Sequence, residues 1–305
     1  MRVSFHPDYA ANLPASHPFP MGKYPLLHDR LLAAGLLAAG DVDPPPEATM
    51  DMLARVHTAD YLEQLATGTL SRADERRLGL PWSPRLWRRS RLAVAGTWRA
   101  AEAALREGIA ANLAGGTHHA FADHGEGFCV LNDVAVAIRA LQAAGAVRRA
   151  LIVDLDVHQG NGTASIFATD AEVFTLSLHG ARNYPLRKVA STVDVALPDG
   201  SSDSDYLAAL EPALAMALSR AGADIAFYLA GVDVVAGDRY GRLALSSAGL
   251  RRRERHVLTT LRASKLPTVI VLGGGYAASA LRTAELHAIV FEEAAALGPQ
   301  AEYPA

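Results

Sequence analysis

The 305-residue chain contains a single cysteine, Cys129. One thiol cannot close an intramolecular disulfide or build a cysteine-rich zinc site. Charge of one sign is also missing: 29 lysines and arginines stand against 32 aspartates and glutamates, for a net charge of −3. Nucleic-acid binding usually leaves a basic footprint, and composition gives none here. No apolar run reaches the ~18–20 residues needed to span a bilayer, and Met1–Pro7 has no apolar core of the kind that directs secretion. A cytoplasmic protein without membrane contact is expected. Internal repeats and long low-complexity stretches are absent as well. What is present is a half-hydrophobic chain, long enough to bury a large core as one α/β unit. Residues 1–305 are therefore expected to form a single domain.

Hydrophobic spacing marks the helices. Leu207, Leu210, Leu214 and Leu218 fall on one face after Asp203-Ser204-Asp205, and Leu250, Val257, Leu258 and Leu261 on another after Ser246-Ser247. Alanine-rich stretches predict further helices over 91–106 and 133–142. Residues 68–90, mixed and arginine-rich, read as an irregular surface excursion. Between helices lie short apolar runs without alternation: 151–153, 173–176, 225–229 and 269–272. Such runs suit strands buried on both faces of a parallel sheet, and their interleaving with helices predicts an α/β fold. Each run leads at once into polar or glycine residues: Asp154, Asp156 and His158; Ser177 and His179; Gly231 and Asp233; Gly273-Gly274-Gly275-Tyr276. Open parallel sheets place their sites outside the carboxyl ends of the strands, so these residues point to one shared site.

Asp156 and His158 are two residues apart; on extended chain both side chains would project to one side. With Asp233 from another strand end they offer two carboxylates and an imidazole. Three protein ligands with an open fourth position are the arrangement of a catalytic metal. Taken alone, Asp-x-His is common and Asp233 could equally cap a helix, so the weight lies in the company. Gly115-Gly116-Thr117-His118-His119 supplies two histidines suited to acid–base work near neutral pH. Tyr276, after its glycines, can donate to a developing oxyanion or simply pack in the core. The same glycines lack the Gly-Lys-Ser/Thr of a P-loop and the spacing of a dinucleotide fingerprint. Cys129 reads as a small buried residue rather than a nucleophile. Arg251-Arg252-Arg253, on a predicted helix, reads as a solvated face.

Several strings together resemble the histone deacetylase superfamily and stand in that family's order: Gly116-Thr117-His118-His119, Gly127-Phe128-Cys129, Asp154-Leu155-Asp156-Val157-His158-Gln159-Gly160-Asn161-Gly162, Ala230-Gly231-Val232-Asp233 and Gly274-Gly275-Tyr276. The Gln159-Gly160-Asn161 version looks most like the class IV enzymes and their bacterial relatives. The resemblance implies the arginase/deacetylase fold, a central, mostly parallel, eight-stranded sheet flanked by helices on both faces. It implies Zn2+, or Fe2+, on Asp156, His158 and Asp233, with His118, His119 and Tyr276 catalytic. It implies support of the histidines by Asp154 and Asn161, the latter standing where many relatives carry aspartate. Gly127 and Phe128 would form one wall of a substrate tunnel, with Tyr184 opposite and Gly274 beside it. His17 would shape the rim. A structural K+ or Na+ would be held by Asp154, the main chain around Asp156 and His158, and a Ser177-Leu178 turn. The implied reaction removes an acetyl or longer acyl group from lysine in proteins or peptides. Small N-acylated amines such as acetylpolyamines are the alternative substrates, and a non-catalytic acyl-lysine binder is the alternative of another class. An arginase-like pair of metals is disfavoured, because Gln159 and Asn161 occupy useful ligand positions.

Overall fold

The computed structural model describes residues 1–14 and 16–298; the last seven residues of the expected 1–305 domain lie outside them. One eight-stranded sheet runs through these residues in the order β2-β1-β3-β8-β7-β4-β5-β6. The strands are β1 Arg2–Ser4, β2 Val42–Asp43, β3 Ile109–Asn112, β4 Ala150–Asp154, β5 Val173–Gly180, β6 Val193–Leu197, β7 Ile225–Leu229 and β8 Thr268–Val271. Every pairing is parallel, so the sheet is parallel throughout, the fold class expected.

Parallel strands need crossovers, and helices supply all of them except the one from β5 to β6, which is a loop. Among the described residues the α-helices are α1 Lys23–Ala33, α2 Met50–Leu53, α3 Ala59–Thr67, α4 Arg72–Leu78, α5 Pro84–Glu107, α6 Asp133–Ala143, α7 Asn161–Ile166, α8 Asp203–Ala221, α9 Ser247–Ala263 and α10 Ala280–Ala296. Alternate residues of β4 face two separate cores, as the pleat requires. Leu151 and Val153 pack in the cluster of Leu210 and Leu214 from α8 and Leu250 and Leu258 from α9. Ala150 and Ile152 join Val134, Ile138 and Leu141 of α6 on the other face.

Three sequence expectations change. The stretch 68–90 is not irregular: it holds α4 and the start of α5, with Leu78, Leu80 and Leu86 buried. Ser71 and Ser83 cap the two helices by accepting from Asp74 N and Leu86 N, and Pro84 opens α5 where a missing N–H costs nothing. Second, β5 continues to Gly180, so Ser177, Leu178 and His179 lie inside a strand and form no turn. Third, Arg253 is fully buried, not part of a solvated face.

Candidate active site

Strands β3, β8, β7 and β4 are neighbours, and the loops leaving their carboxyl ends carry the candidate residues. Chain progression reverses beside β4, with β5 on one side and β7 on the other, which is where open α/β sheets bind ligands. After β4 the backbone bends instead of continuing extended, and the bend brings Asp156 and His158 together. His158 Nδ1 lies 3.0 Å from Asp156 Oδ1 and 3.2 Å from Asp233 Oδ2. Asp233 Oδ1 accepts from Val157 N at 2.9 Å, tying the β7 loop to the β4 loop.

These three residues fit a divalent metal. They are the group of three among the described residues whose ligand atoms all lie within 4.8 Å of one another. All are buried, and Asp233 Oδ2 has no well-aligned hydrogen-bond donor. Burial and then the charge of Asp156 push Asp233 up to about 7. Against the pull of burial, Asp156 and Asp233 lift His158 to about 10. Two carboxylates confined in low dielectric call for a cation. Glycine makes the room: a Cβ at Gly274 would stand 2.0 Å from Asp233 Oδ2, and one at Gly231 2.6 Å from Asp156 Oδ2. Arg253 braces the pair of loops from behind, donating to Leu155 O at 3.0 Å and Gly231 O at 2.8 Å. Its own charge is met by Glu254 at 2.6 Å. Nothing in the local sequence marks Arg253 apart from Arg251 and Arg252, which are not buried.

His118 and His119 follow β3, with ring centroids 4.1 Å apart. Gly116 allows this approach to β8: its φ is +75°, and a Cβ there would stand 2.6 Å from Gly273 N. Each histidine has a hydrogen-bond partner at its Nδ1. His118 Nδ1 is 2.7 Å from Asp154 Oδ2 and His119 Nδ1 is 2.7 Å from Asn161 Oδ1. The partners separate the two rings electrostatically. Burial disfavours both charges, but Asp154 and Asp156 raise His118 to about 9. Burial and the His118 and His158 charges hold His119 well below its ordinary range, with the Asn161 hydrogen bond opposing them only in part. Asn161 is itself held: its Nδ2 donates to Glu126 Oε1 at 2.8 Å. A carboxylate only accepts, so the amide must turn its oxygen to His119, whose Nδ1 therefore carries the proton. Glu126 was missed in the sequence, although it adjoins Gly127.

Tyr276 is buried, and burial followed by the charges of Asp156 and Asp233 keeps its hydroxyl protonated well beyond the usual range. Its backbone N–H donates to Asp238 Oδ2 at 2.7 Å. Lys23, also buried and unforeseen, donates to Gly273 O at 3.1 Å and sits over the rings of Phe19, Tyr24 and Tyr276. A small inner cavity of about 30 Å³ is bounded by His118, His119, Asp156, His158, Gly274 and Tyr276. A mouth of about 310 Å³ opens outward between Gly127, Phe128, Tyr184, Tyr240 and Tyr276. Phe128 has a φ of +68°, a strained value for a non-glycine residue of the kind that collects at functional sites. Its N–H donates to Leu78 O, so α4 buttresses this wall. His17 stacks edge-on against Phe128, 5.7 Å between centroids, and contacts Gly79 O at 2.8 Å, on the rim as expected. Tyr184 is half-exposed and hydrogen-bonds Glu126. Ser177 pairs with Asp154 across the β4–β5 ladder, but its hydroxyl engages His179 Nδ1 at 2.9 Å. Cys129 is buried, and burial pushes its thiol up, away from thiolate chemistry.

The family model for the histone deacetylase domain matches residues 17–290. The chain belongs to the histone deacetylase family. Within it, the chain is 48% identical over 275 residues to an uncharacterized protein of Picosynechococcus sp., covering 90% of this chain and 92% of that one. It is 31% identical over 278 residues to histone deacetylase 2 of Arabidopsis thaliana, covering 87% and 71%. The crystal structure of acetylpolyamine aminohydrolase from Burkholderia pseudomallei superposes with a TM-score of 0.78 at 26% identity, over 96% of this chain and 97% of that one. The histone deacetylase family member described here is thus a deacetylase-type amidohydrolase with the arginase/deacetylase α/β fold. No helix among its described residues is long and apolar enough to cross a membrane.

Proposed function

We propose that the protein is a metal-dependent deacylase that hydrolyses the amide between an acyl group and the side-chain amine of lysine in proteins or peptides. The observation that carries this reading is the meeting of the Asp156–His158–Asp233 cluster with two histidines, His118 backed by the Asp154 carboxylate and His119 by the neutral Asn161 amide, which set their proton affinities apart. Separated proton affinities mark acid and base roles. Asp156, His158 and Asp233 would hold a divalent metal, zinc in our reading with iron(II) as the alternative, which would supply Lewis-acid polarisation of the acyl carbonyl and the attacking water. His119 Nε2, free of its proton, takes one from the water and passes it to the leaving amine. His118, paired with Asp154, stays cationic and stabilises the developing negative charge. Tyr276 donates its hydroxyl proton to a hydrogen bond with the oxyanion. Phe128 and Tyr184 flank the alkyl chain, and the aromatic lining of the mouth shields it from water. Asp154 and its ladder neighbour Ser177, with the Leu178, Asp156 and His158 backbone, remain the proposed seat of K+ or Na+. The whole chain acts as one domain in this reading, in the cytoplasm.

The acetylpolyamine aminohydrolase fold match favours small acylated amines as the second substrate class. A panel of acetyl-lysine peptides, long-acyl-lysine peptides and acetylpolyamines, given to zinc-loaded enzyme with Tyr276→Phe as control, tests the reading. Turnover of acyl-lysine peptides that Tyr276→Phe suppresses supports it; no turnover of any member leaves only an acyl-lysine binder.

A further inference from the structure

Among the described residues, no carboxylate lines the mouth. Its lining includes the guanidinium residues Arg76 and Arg77, at the carboxyl-terminal turn of α4, and otherwise aromatic, apolar and histidine side chains. A third guanidinium, Arg239, lies 5.8 Å from the ring of Tyr240, which also lines the mouth. Among the described residues neither Arg76 nor Arg239 has a carboxylate within ion-pair distance. Arg77 meets only Asp74, at 3.5 Å, with both side chains partly exposed.

The acidic residues close by keep their charge, but their oxygens already accept hydrogen bonds within the protein. Glu126 accepts from Asn161 and from the Tyr184 hydroxyl. Asp238 accepts from the backbone of Tyr240, Gly241 and Tyr276. Glu75 accepts from Trp82 N, and Asp74 from Ser71. A polyamine carries further ammonium groups beyond its acylated nitrogen, and these need free carboxylates or aromatic faces to replace their water. The mouth offers them the aromatic faces of Phe128, Tyr184, Tyr240 and Tyr276, but it sets the fixed positive charges of Arg76 and Arg77 in the same lining. Arginine does not titrate in the physiological range, so the field at the mouth is permanent.

We infer that Arg76 and Arg77, with Arg239 beside Tyr240, form a cationic collar that selects acyl-lysine flanked by acidic residues and rejects polycationic small amines. The inference rests on the deacylase reading and names the substrate class of that site. An acyl-lysine inserted past Phe128 leaves its own backbone and neighbours at the mouth, within reach of the α4 arginines. Flexible exposed guanidiniums act there chiefly through charge, so discrimination is salt-sensitive.

The test uses fluorescent acetyl-lysine peptides that differ only in carrying Asp/Glu or Lys/Arg beside the acetyl-lysine, together with an acetylpolyamine. Kd is read by anisotropy and competition, and kcat/KM by turnover, at low and high salt on the zinc-loaded protein. Two exposed ion pairs predict roughly 2- to 30-fold tighter binding of the acidic peptide at low salt, shrinking toward parity near ~1 M salt. Arg76→Gln with Arg77→Gln removes most of the preference, and Arg76→Glu with Arg77→Glu reverses it. Thermal melts check that each variant stays folded, and if the reversal variant melts, the glutamine pair decides. Equal affinity for the two peptides, or tighter binding of the basic peptide or the acetylpolyamine, overturns the collar. Binding preference without turnover of any substrate upholds the collar and defeats the deacylase reading.

Discussion

Asn161→Asp is the substitution for which the structure changes the expected result. From the sequence alone, a carboxylate facing His119 Nδ1 stabilises imidazolium and raises the pKa of the base. The attacking base must be unprotonated, so the acidic limb of the pH–rate profile should move to higher pH. Two unit charges about 4 Å apart at an effective dielectric of about 20 interact by ~4 kcal/mol, roughly three pKa units, which sets an upper bound. A carboxylate beside an imidazole commonly shifts it by about 1–3 units. In the folded protein, however, the Nδ2 that becomes an oxygen lies 2.8 Å from Glu126 Oε1. Two carboxylates at that distance share a proton near neutrality, and the charge felt by His119 is muted. The single variant should therefore move the limb of kcat/KM by less than about one unit. Asn161→Asp combined with Glu126→Gln should move it by more than one unit, because the glutamine amide can donate to the new carboxylate. Proton-coupled nitrogen NMR of the His119 ring checks the same shift without turnover. A double variant whose limb stays with wild type, or moves to lower pH, refutes the reasoning.

Gly274→Ala should empty the metal cluster, since its Cβ would stand 2.0 Å from Asp233 Oδ2; metal content of the folded variant checks this, and full occupancy contradicts it. Arg253→Ala should cost about 3–5 kcal/mol of stability by leaving Glu254 buried without its cation, read as a lowered denaturant midpoint. His57 accepts from Asn132 N at 3.0 Å, and burial lowers it to about 4. Its folded pKa is below the unfolded value of about 6.5, so the unfolded chain binds the extra proton and stability falls as pH drops from about 6.5 to 4. Desolvation of this one ring contributes on the order of 3 kcal/mol across that window. His57→Gln, which still accepts from Asn132, should flatten the pH dependence of the denaturant midpoint there; an unchanged slope would assign the acid sensitivity to other groups.

The candidate site was more legible than the sheet around it. Strands β4, β5, β7 and β8 announce themselves as unalternating apolar runs because both of their faces are buried. Strands β1 and β2 are three and two residues long, too short for any period. β3, Ile109-Ala110-Ala111-Asn112, continues an alanine-rich helix and carries no β-branched pattern after Ile109. β6 at the sheet edge alternates exposed and covered residues, a pattern that its loop surroundings hide. In 68–90 the arginines mask two capped helices, because charge composition does not report which few leucines turn inward.

By itself the sequence determined which side chains could carry the chemistry. Asp156, His158, Asp233 and Tyr276 each follow a segment whose burial is written in its own residues, and a parallel sheet puts all such ends on one side; the His118-His119 pair is marked only by its own motif, Gly115-Gly116-Thr117-His118-His119. Only the tertiary structure decided that β3, β8, β7 and β4 are adjacent, so that these four loops converge. It also decided that Asp156 and His158 meet through a bend, that Glu126 fixes the Asn161 amide, and that Arg253 lies buried while Arg251 and Arg252 do not. The same holds for the arginines gathered around a mouth without carboxylates. The reason is physical: burial and partnering of a charged side chain depend on residues far away in sequence. Arg253 and Leu155, for example, are 98 positions apart, and no local periodicity encodes that contact.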